Sequence, residues 1–206
     1  TARAELPGAL RTLRAVAAQI PSVEDALSLP DDDHVRRHFP IFYRDLAVAS
    51  QACGDWESSA EAWQVCRAWF NGVGEAGEAM MARFAQAPLY DAAGQHKKAL
   101  EAWFEVIGLA RKLEDKQVEG QCFGALATVA LREKMRDKAL EWATYARSVS
   151  LDAVDPITYV NATAVMAECY DHQGLRTQAF DLMANARHLL EESVGRDAAD
   201  GFLSLI

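Results

Sequence analysis

The chain has 206 residues, of which 50% are hydrophobic, so it is long enough to bury a sizeable core. Its 21 basic and 30 acidic residues give a net charge of −9, which argues against a nucleic acid or an anionic membrane as partner. We recognise no membrane-spanning run and no signal peptide. None of the four cysteines forms a Cys-x-x-Cys pair, so we expect buried thiols and a cytoplasmic protein.

Residues 1–39 are predicted to form a helical cap ahead of a regular pattern. Apolar residues at helical spacing predict a first helix that stops at Pro21. Ser22 is predicted to cap a second, short helix, with Asp25 as the acid of a capping box. Pro40 is then expected to open the next helix, because the first helical turn tolerates a missing N–H.

From residue 40 onwards the sequence repeats with a period of 40 residues. Each repeat has a turn position, a small residue before it, another small residue five places after it, and a large-residue position beyond. A period of this length indicates helix pairs that stack on one another. The small and turn positions in register are Ala47, Ala87, Ala127 and Ala167; Gly54, Gly94, Lys134 and Gly174; and Ser59, Ala99, Ala139 and Ala179.

This pattern resembles the tetratricopeptide repeat (TPR) family, in a long variety whose repeat exceeds the usual length of about 34 residues. HEAT repeats have a similar length, but a turn glycine followed five residues later by a small residue is typical of TPR. The resemblance implies an all-α fold, a right-handed α-solenoid of stacked antiparallel helix pairs. The predicted repeats are 40–79, 80–119, 120–159 and 160–199, followed by an apolar tail at 200–206.

Three places depart from the regular pattern. Lys134 stands where the other repeats have the turn glycine, and lysine adopts the left-handed conformation at a modest cost. Pro88 falls inside a predicted helix, and we interpret it as a tolerated kink, the alternative being a carbonyl left free for a partner. Segment 71–77 contains three glycines and is predicted to be the most flexible link between repeats.

The TPR resemblance also implies a concave groove lined by the first helix of each repeat. Its residues are mainly apolar in the N-terminal half of the chain and polar in the C-terminal half. They lack the Lys/Asn/Arg set with which chaperone-binding TPRs hold a C-terminal carboxylate. The implied groove residues are Arg44, Met81, Phe84, Gln121, Thr128, Arg132, Asn161, Glu168 and Asp171.

We recognise no catalytic constellation, so we expect a protein that is not an enzyme and has no cofactor. His34 and His38 lie one helical turn apart beside three aspartates, a spacing that can chelate a metal ion. The two arginines between them repel a cation, so no metal site is expected. The short basic segments 97–98 and 132–136 are interpreted as solvated helix surfaces.

Three functions remain open at this point. The first is a non-enzymatic protein–protein interaction module that binds a peptide or helix in the concave groove. The second is a sensory or regulatory TPR domain of a larger bacterial protein, either a peptide-signal receptor or a transcriptional regulator. The third is a scaffold that self-assembles into a homo-oligomer through the apolar tail 200–206. In each case the partner is a protein or peptide rather than a nucleic acid or a membrane.

Overall fold

The computed structural model describes the backbone of residues 2–203 and the side chains of residues 7–201 and 203. These residues are all-α, with consecutive helices packed in antiparallel order, as predicted. The chain forms two compact units, residues 1–105 and 106–206, which are described separately below. The helices are α1 (Ala2–Ala17), α2 (Val23–Ser28), α3 (His34–Ala52), α4 (Trp56–Val73), α5 (Ala76–Ala92), α6 (His96–Lys112), α7 (Lys116–Arg132), α8 (Arg136–Asp152), α9 (Pro156–His172), α10 (Arg176–Val194) and α11 (Arg196–Leu203).

In the first unit, α3 packs against α4 and α4 against α5, while α1 and α2 lie against this helix pair. Leu10 of α1 joins Leu46, Ala47 and Ala62 in one cluster of buried side chains. A second cluster centres on Phe39, whose ring stacks on that of Trp69 with 4.9 Å between ring centres. The two N-terminal helices therefore cover apolar surface of α3 and α4 that would otherwise face water.

In the second unit, each helix from α7 to α11 packs against the next, and α7 also contacts α9. One core cluster joins α7, α8 and α9 through Ala127, Ala143 and Met166. The last helix, α11, is anchored by Ala199, which is fully buried against the side chains of Val160 and Leu190. Residues 200–203 of the predicted apolar tail thus belong to α11, whereas 204–206 lie outside the described residues.

The small residues of the repeat pattern let the paired helices approach closely. Ala47, Ala87 and Ala127 are completely buried, and Ala167 is nearly so. The second small position, occupied by Ser59 in the first repeat, is buried in every repeat as well. A side chain larger than alanine at these positions would force the helices apart, which explains why the pattern tolerates only small residues there.

The turns between helices share one backbone conformation every 20 residues. Lys134 has a φ of 60°, which confirms the prediction that it replaces the turn glycine in the left-handed region. The links between repeats use the same conformation at Gly74, Glu114 and Val154, with φ values of 82°, 58° and 56°. In each case the following N–H reaches back to the carbonyl five residues earlier, as from Met135 to Ala130 at 2.8 Å.

Aspartate follows this left-handed residue in three of the turns and caps the next helix. The carboxylates of Asp55, Asp115 and Asp155 each accept a hydrogen bond from the backbone N–H three residues later. Met135 and Leu175 occupy the equivalent positions before α8 and α10 and make no such bond. These two helices, like α5 after Glu75, therefore begin without the side-chain acceptor that stabilises α4, α7 and α9.

The prediction that Pro40 opens a helix is wrong. Pro40 lies inside α3, which begins six residues earlier at His34. Asp33 caps the helix there by accepting hydrogen bonds from the N–H groups of Val35 and Arg36. The cap and the burial of Phe39 together stabilise the preceding turns enough to carry the helix through the proline.

The link between α4 and α5 is shorter than the predicted segment 71–77. Only Gly74 and Glu75 separate α4 from α5, since Gly77 already lies inside α5. Gly72 lies in the last turn of α4, where a Cβ atom would collide with the side chain of Leu27. Close packing of α2 against this turn therefore favours glycine at this position.

Candidate protein-binding surfaces

The predicted groove residues of the first unit lie on α3 and α5. Arg44 and Met81 are exposed, and the Arg44 guanidinium lies 3.9 Å from the carboxylate of Asp45. Two further apolar side chains of α3 are exposed beside them, Ile41 at 44% and Val48 at 55%. These helix surfaces thus present aliphatic side chains to water, which is unfavourable unless something covers them.

Phe84 belongs partly to the core. Its ring packs edge-to-face against Trp103 of α6, with 5.3 Å between ring centres, and the side chain is half-buried. The ring therefore supports the packing of α5 and α6 and offers only part of its surface to a ligand.

The predicted groove residues of the second unit are mostly exposed and polar. Asn161 and Glu168 of α9 face water, as does Thr128 of α7, whose hydroxyl donates to the carbonyl of Gly124 at 3.1 Å. Two of the set have charged neighbours: Arg132 lies 3.5 Å from Glu133 and Asp171 lies 3.4 Å from Arg176. These exposed side chains can form hydrogen bonds with a ligand, and the surface ion pairs they would give up contribute little to the stability of the fold.

Gln121 is used within the fold. Its Nε2 donates to Asp155 at 3.1 Å, and the same carboxylate accepts bonds from the backbone N–H and hydroxyl of Thr158 at 3.0 and 2.7 Å. Burial raises the pKa of Asp155, but these hydrogen bonds outweigh burial and hold the pKa below its ordinary value. Gln121 thus ties α7 to the turn that precedes α9.

A buried carboxylate that the sequence did not reveal lies in the second unit. Glu119 is only 2% exposed, yet it accepts hydrogen bonds from Arg111 at 2.6 Å and from the hydroxyl of Tyr145 at 2.8 Å. Lys116 lies 3.6 Å away. Burial raises the pKa of Glu119, but the two hydrogen bonds outweigh burial and the pKa is lowered. Because its partners satisfy the carboxylate, we assign the cluster to stability rather than to chemistry.

The cysteines behave as small apolar residues, as predicted for three of them. Cys66, Cys122 and Cys169 are buried free thiols, whereas Cys53 is exposed. Burial raises the pKa of both Cys66 and Cys122 to about 12, so neither forms the reactive thiolate near neutral pH.

The two histidines at metal-ligand spacing, His34 and His38, stack on each other. The rings of His34 and His38 stack with 4.1 Å between their centres, and Nδ1 of His38 lies 2.9 Å from the His34 carbonyl oxygen. Among the described side chains, no group of three or more His, Cys, Asp or Glu residues is arranged to hold a metal ion. No helix within residues 2–203 is long and apolar enough to cross a membrane.

Paired antiparallel helices, left-handed turns and buried small residues define a TPR-like helical repeat fold. A Podosopora anserina protein with nearly identical TPR-like repeats, assigned as a kinesin light chain, is 18% identical, with a TM-score of 0.63 over 93% of this chain and 90% of that one. BtubC (BKLC) from P. vanneervenii is 14% identical, with a TM-score of 0.70 over 92% of this chain and 76% of that one. The apo form of RapI is 12% identical, with a TM-score of 0.71 over 96% of this chain and 69% of that one.

No protein-family model matches the sequence, and no curated protein matches it. The similarity to solved structures therefore establishes the fold alone, because the identities are low. No enzyme family is identified, and proteins with this fold are usually non-catalytic and bind other proteins.

Proposed function

We propose that this protein is a non-enzymatic protein–protein interaction module that binds a peptide or a helix on the first helices of its repeats. The observation that carries the proposal is the exposure of Ile41, Val48 and Met81 on α3 and α5. Aliphatic side chains gain free energy when a ligand removes them from water. An amphipathic helix or an extended peptide with apolar anchors is the ligand that suits such a surface.

The second unit contributes a different kind of contact. Asn161 and Thr128 carry neutral hydrogen-bonding groups, and Glu168 adds a negative charge, all on the exposed surface of α7 and α9. Groups of this kind discriminate between ligands more than they add affinity, since water competes for the same bonds. Taken separately, the surface of α3 and α5 is therefore expected to bind by burying apolar side chains, and the surface of α7 and α9 to discriminate between polar ligands.

A regulatory role in a larger bacterial protein is the second candidate. It rests on the 40-residue period, which resembles the long TPR variety found in bacterial regulatory proteins. On this alternative the ligand is a small peptide signal rather than a folded partner.

Self-assembly through the tail 200–206 stays a prediction. Light scattering that finds only monomer at high protein concentration would contradict it.

The proposal is tested by affinity capture from the lysate of the source cell, read by mass spectrometry. The bait is compared with a variant that carries Met81→Glu and Asn161→Arg, both at exposed positions. The matched control carries Phe180→Glu and Gln178→Arg on α10, which are exposed as well. A partner retained by the control and lost by the first variant supports the proposal. A partner captured equally by all three baits contradicts it.

A further inference from the structure

A cleft of about 490 Å³ opens within the second unit between the start of α8 and the end of α9. We call it the α8 cleft and define it by Lys134, Met135, Arg136, Lys138 and His172, with Asp137 beside them. All of these side chains are exposed. The cleft is thus open to solvent and falls in the size range of ligand sites.

Positive charge collects in this cleft although the chain as a whole carries a net charge of −9. Lys134, Arg136 and Lys138 line it together with a single carboxylate, that of Asp137. No ion pair joins Lys134 or Arg136 to a carboxylate among the described side chains. The Lys138 ammonium lies 5.6 Å from the centre of the Trp142 ring, and His172 lies 3.8 Å from Glu168. Most of the positive charge is therefore available to a ligand.

The N-terminus of α8, at the same cleft, carries three features that lower its stability. Lys134 holds a left-handed φ of 60° at a position where the other helix-pair turns have glycine. Met135 leaves the N-terminus of α8 without a side-chain cap. Arg136 and Lys138 place positive charge at the end of the helix where the dipole disfavours it. The backbone conformation, the absent side-chain cap and the two cations all lower the stability of this helix N-terminus, whereas a bound anion would raise it.

We propose that the α8 cleft binds an acidic segment of a protein partner. Its carboxylates would neutralise Lys134, Arg136 and Lys138, and the first N–H groups of α8 would donate to one of them. Only one of the three cations is an arginine, whereas a single phosphate group is recognised best by arginine forks. Charge distributed along an open cleft therefore fits several carboxylates better than one phosphate.

This inference goes beyond the proposed function, because the cleft residues lie in the turn before α8 and in its first turn, apart from His172 at the end of α9. Substitutions in the cleft leave Met81 and Asn161 in place, and the variant at Met81 and Asn161 leaves the cleft intact. Failure of one proposal can thus be told from failure of the other.

The test is fluorescence anisotropy at low ionic strength with a labelled pentaglutamate peptide as probe. The cleft variant carries Lys134→Gln, Arg136→Gln and Lys138→Gln. The matched control carries Lys97→Gln, Lys112→Gln and Arg196→Gln, which removes the same charge from other exposed positions. We expect the dissociation constant for the probe to rise at least about tenfold in the cleft variant. In the control it should equal that of the original chain. Added salt should weaken the binding.

Three results would overturn the inference. One is an absence of binding up to about 1 mM probe, the concentration at which only very weak complexes form. Another is an equal loss of affinity in the cleft variant and the control. The third is tighter binding of a phosphoserine peptide or of a pentalysine peptide than of pentaglutamate. Circular dichroism checks that both variants fold. For the cleft variant we expect this because its substitutions remove cations from a helix N-terminus.

Discussion

The carboxylate of Glu119 lies 2.6 Å from the guanidinium Nε of Arg111, and the two residues connect the end of α6 to the first turns of α7. Glu119 is almost fully buried, whereas the Arg111 side chain is 54% exposed. The tyrosine hydroxyl of Tyr145 on α8 completes the arrangement. A buried negative charge is tolerable only while these partners remain, so the cluster should respond sharply to the loss of any one of them.

Replacing Arg111 with methionine should destabilise the second unit by about 1–3 kcal/mol, because Glu119 would stay buried without its main counter-charge. The estimate is below that for a fully buried pair, since water reaches Arg111 and screens it. The free energy of unfolding is measured by urea denaturation. Replacing both Arg111 and Glu119 with methionine should recover part of the loss, and no recovery would contradict this account.

Acid should weaken the same cluster. The pKa of Glu119 is lowered in the folded chain, so its contribution to stability is complete above the ordinary carboxylate pKa of about 4.3 and disappears as the pH falls through the lower folded value. Urea unfolding at a series of pH values should show this loss in the original chain. The slope should be smaller in the Glu119→Gln variant, and equal slopes would show that other carboxylates dominate.

The sequence was sufficient to predict the helix pairs because their signals are local and repeated. Glycine at 54, 94 and 174 marks turns that need a left-handed backbone, and the same register identified Lys134. Glu114 and Val154 adopt that conformation too, but neither residue type favours it, so the sequence did not predict which residue of these turns is left-handed.

The roles of individual side chains were harder to predict. Gln121 appeared to be a groove residue until its partner Asp155, 34 residues away, was placed beside it. The sequence did not single out Glu119, because one of its hydrogen bonds comes from Tyr145 on the next helix. Contacts between helices determine the roles of Gln121 and Glu119, whereas a periodic sequence pattern indicates only which face of a helix a residue occupies.

Replacing Val154 with glycine should raise the free energy of unfolding by about 0.5–1 kcal/mol. A β-branched residue is strained at a φ of 56°, and glycine relieves that strain at a smaller loss of chain entropy. Val154 is 85% exposed, so little packing is lost with its side chain. Urea denaturation of the two chains provides the measurement. The opposite substitution, Gly94→Ala at a φ of 73°, serves as the control and should destabilise by about 1 kcal/mol.

Truncating Leu126 to alanine should destabilise the second unit by about 2–5 kcal/mol. Its side chain is fully buried in α7, so the substitution removes apolar contacts and leaves a cavity. Leu151→Ala removes the same atoms from a side chain that is 60% exposed, so it should lower the free energy of unfolding by well under about 2 kcal/mol. Comparable losses in the two variants, measured by thermal and urea unfolding, would contradict the assignment of Leu126 to the core.

A side-chain cap before α10 should stabilise the second unit. Leu175 precedes α10 without a side-chain cap, and aspartate there should accept a hydrogen bond from the N–H three residues later, as Asp115 does for Val118 at 2.9 Å. We expect Leu175→Asp to stabilise the chain by about 1 kcal/mol and Asp115→Ala to destabilise it by about the same amount. Chemical denaturation of both variants tests the pair. If Leu175→Asp instead lowers stability, then the half-exposed leucine contributes packing that outweighs the cap, and the equivalence of the turns is limited to the backbone.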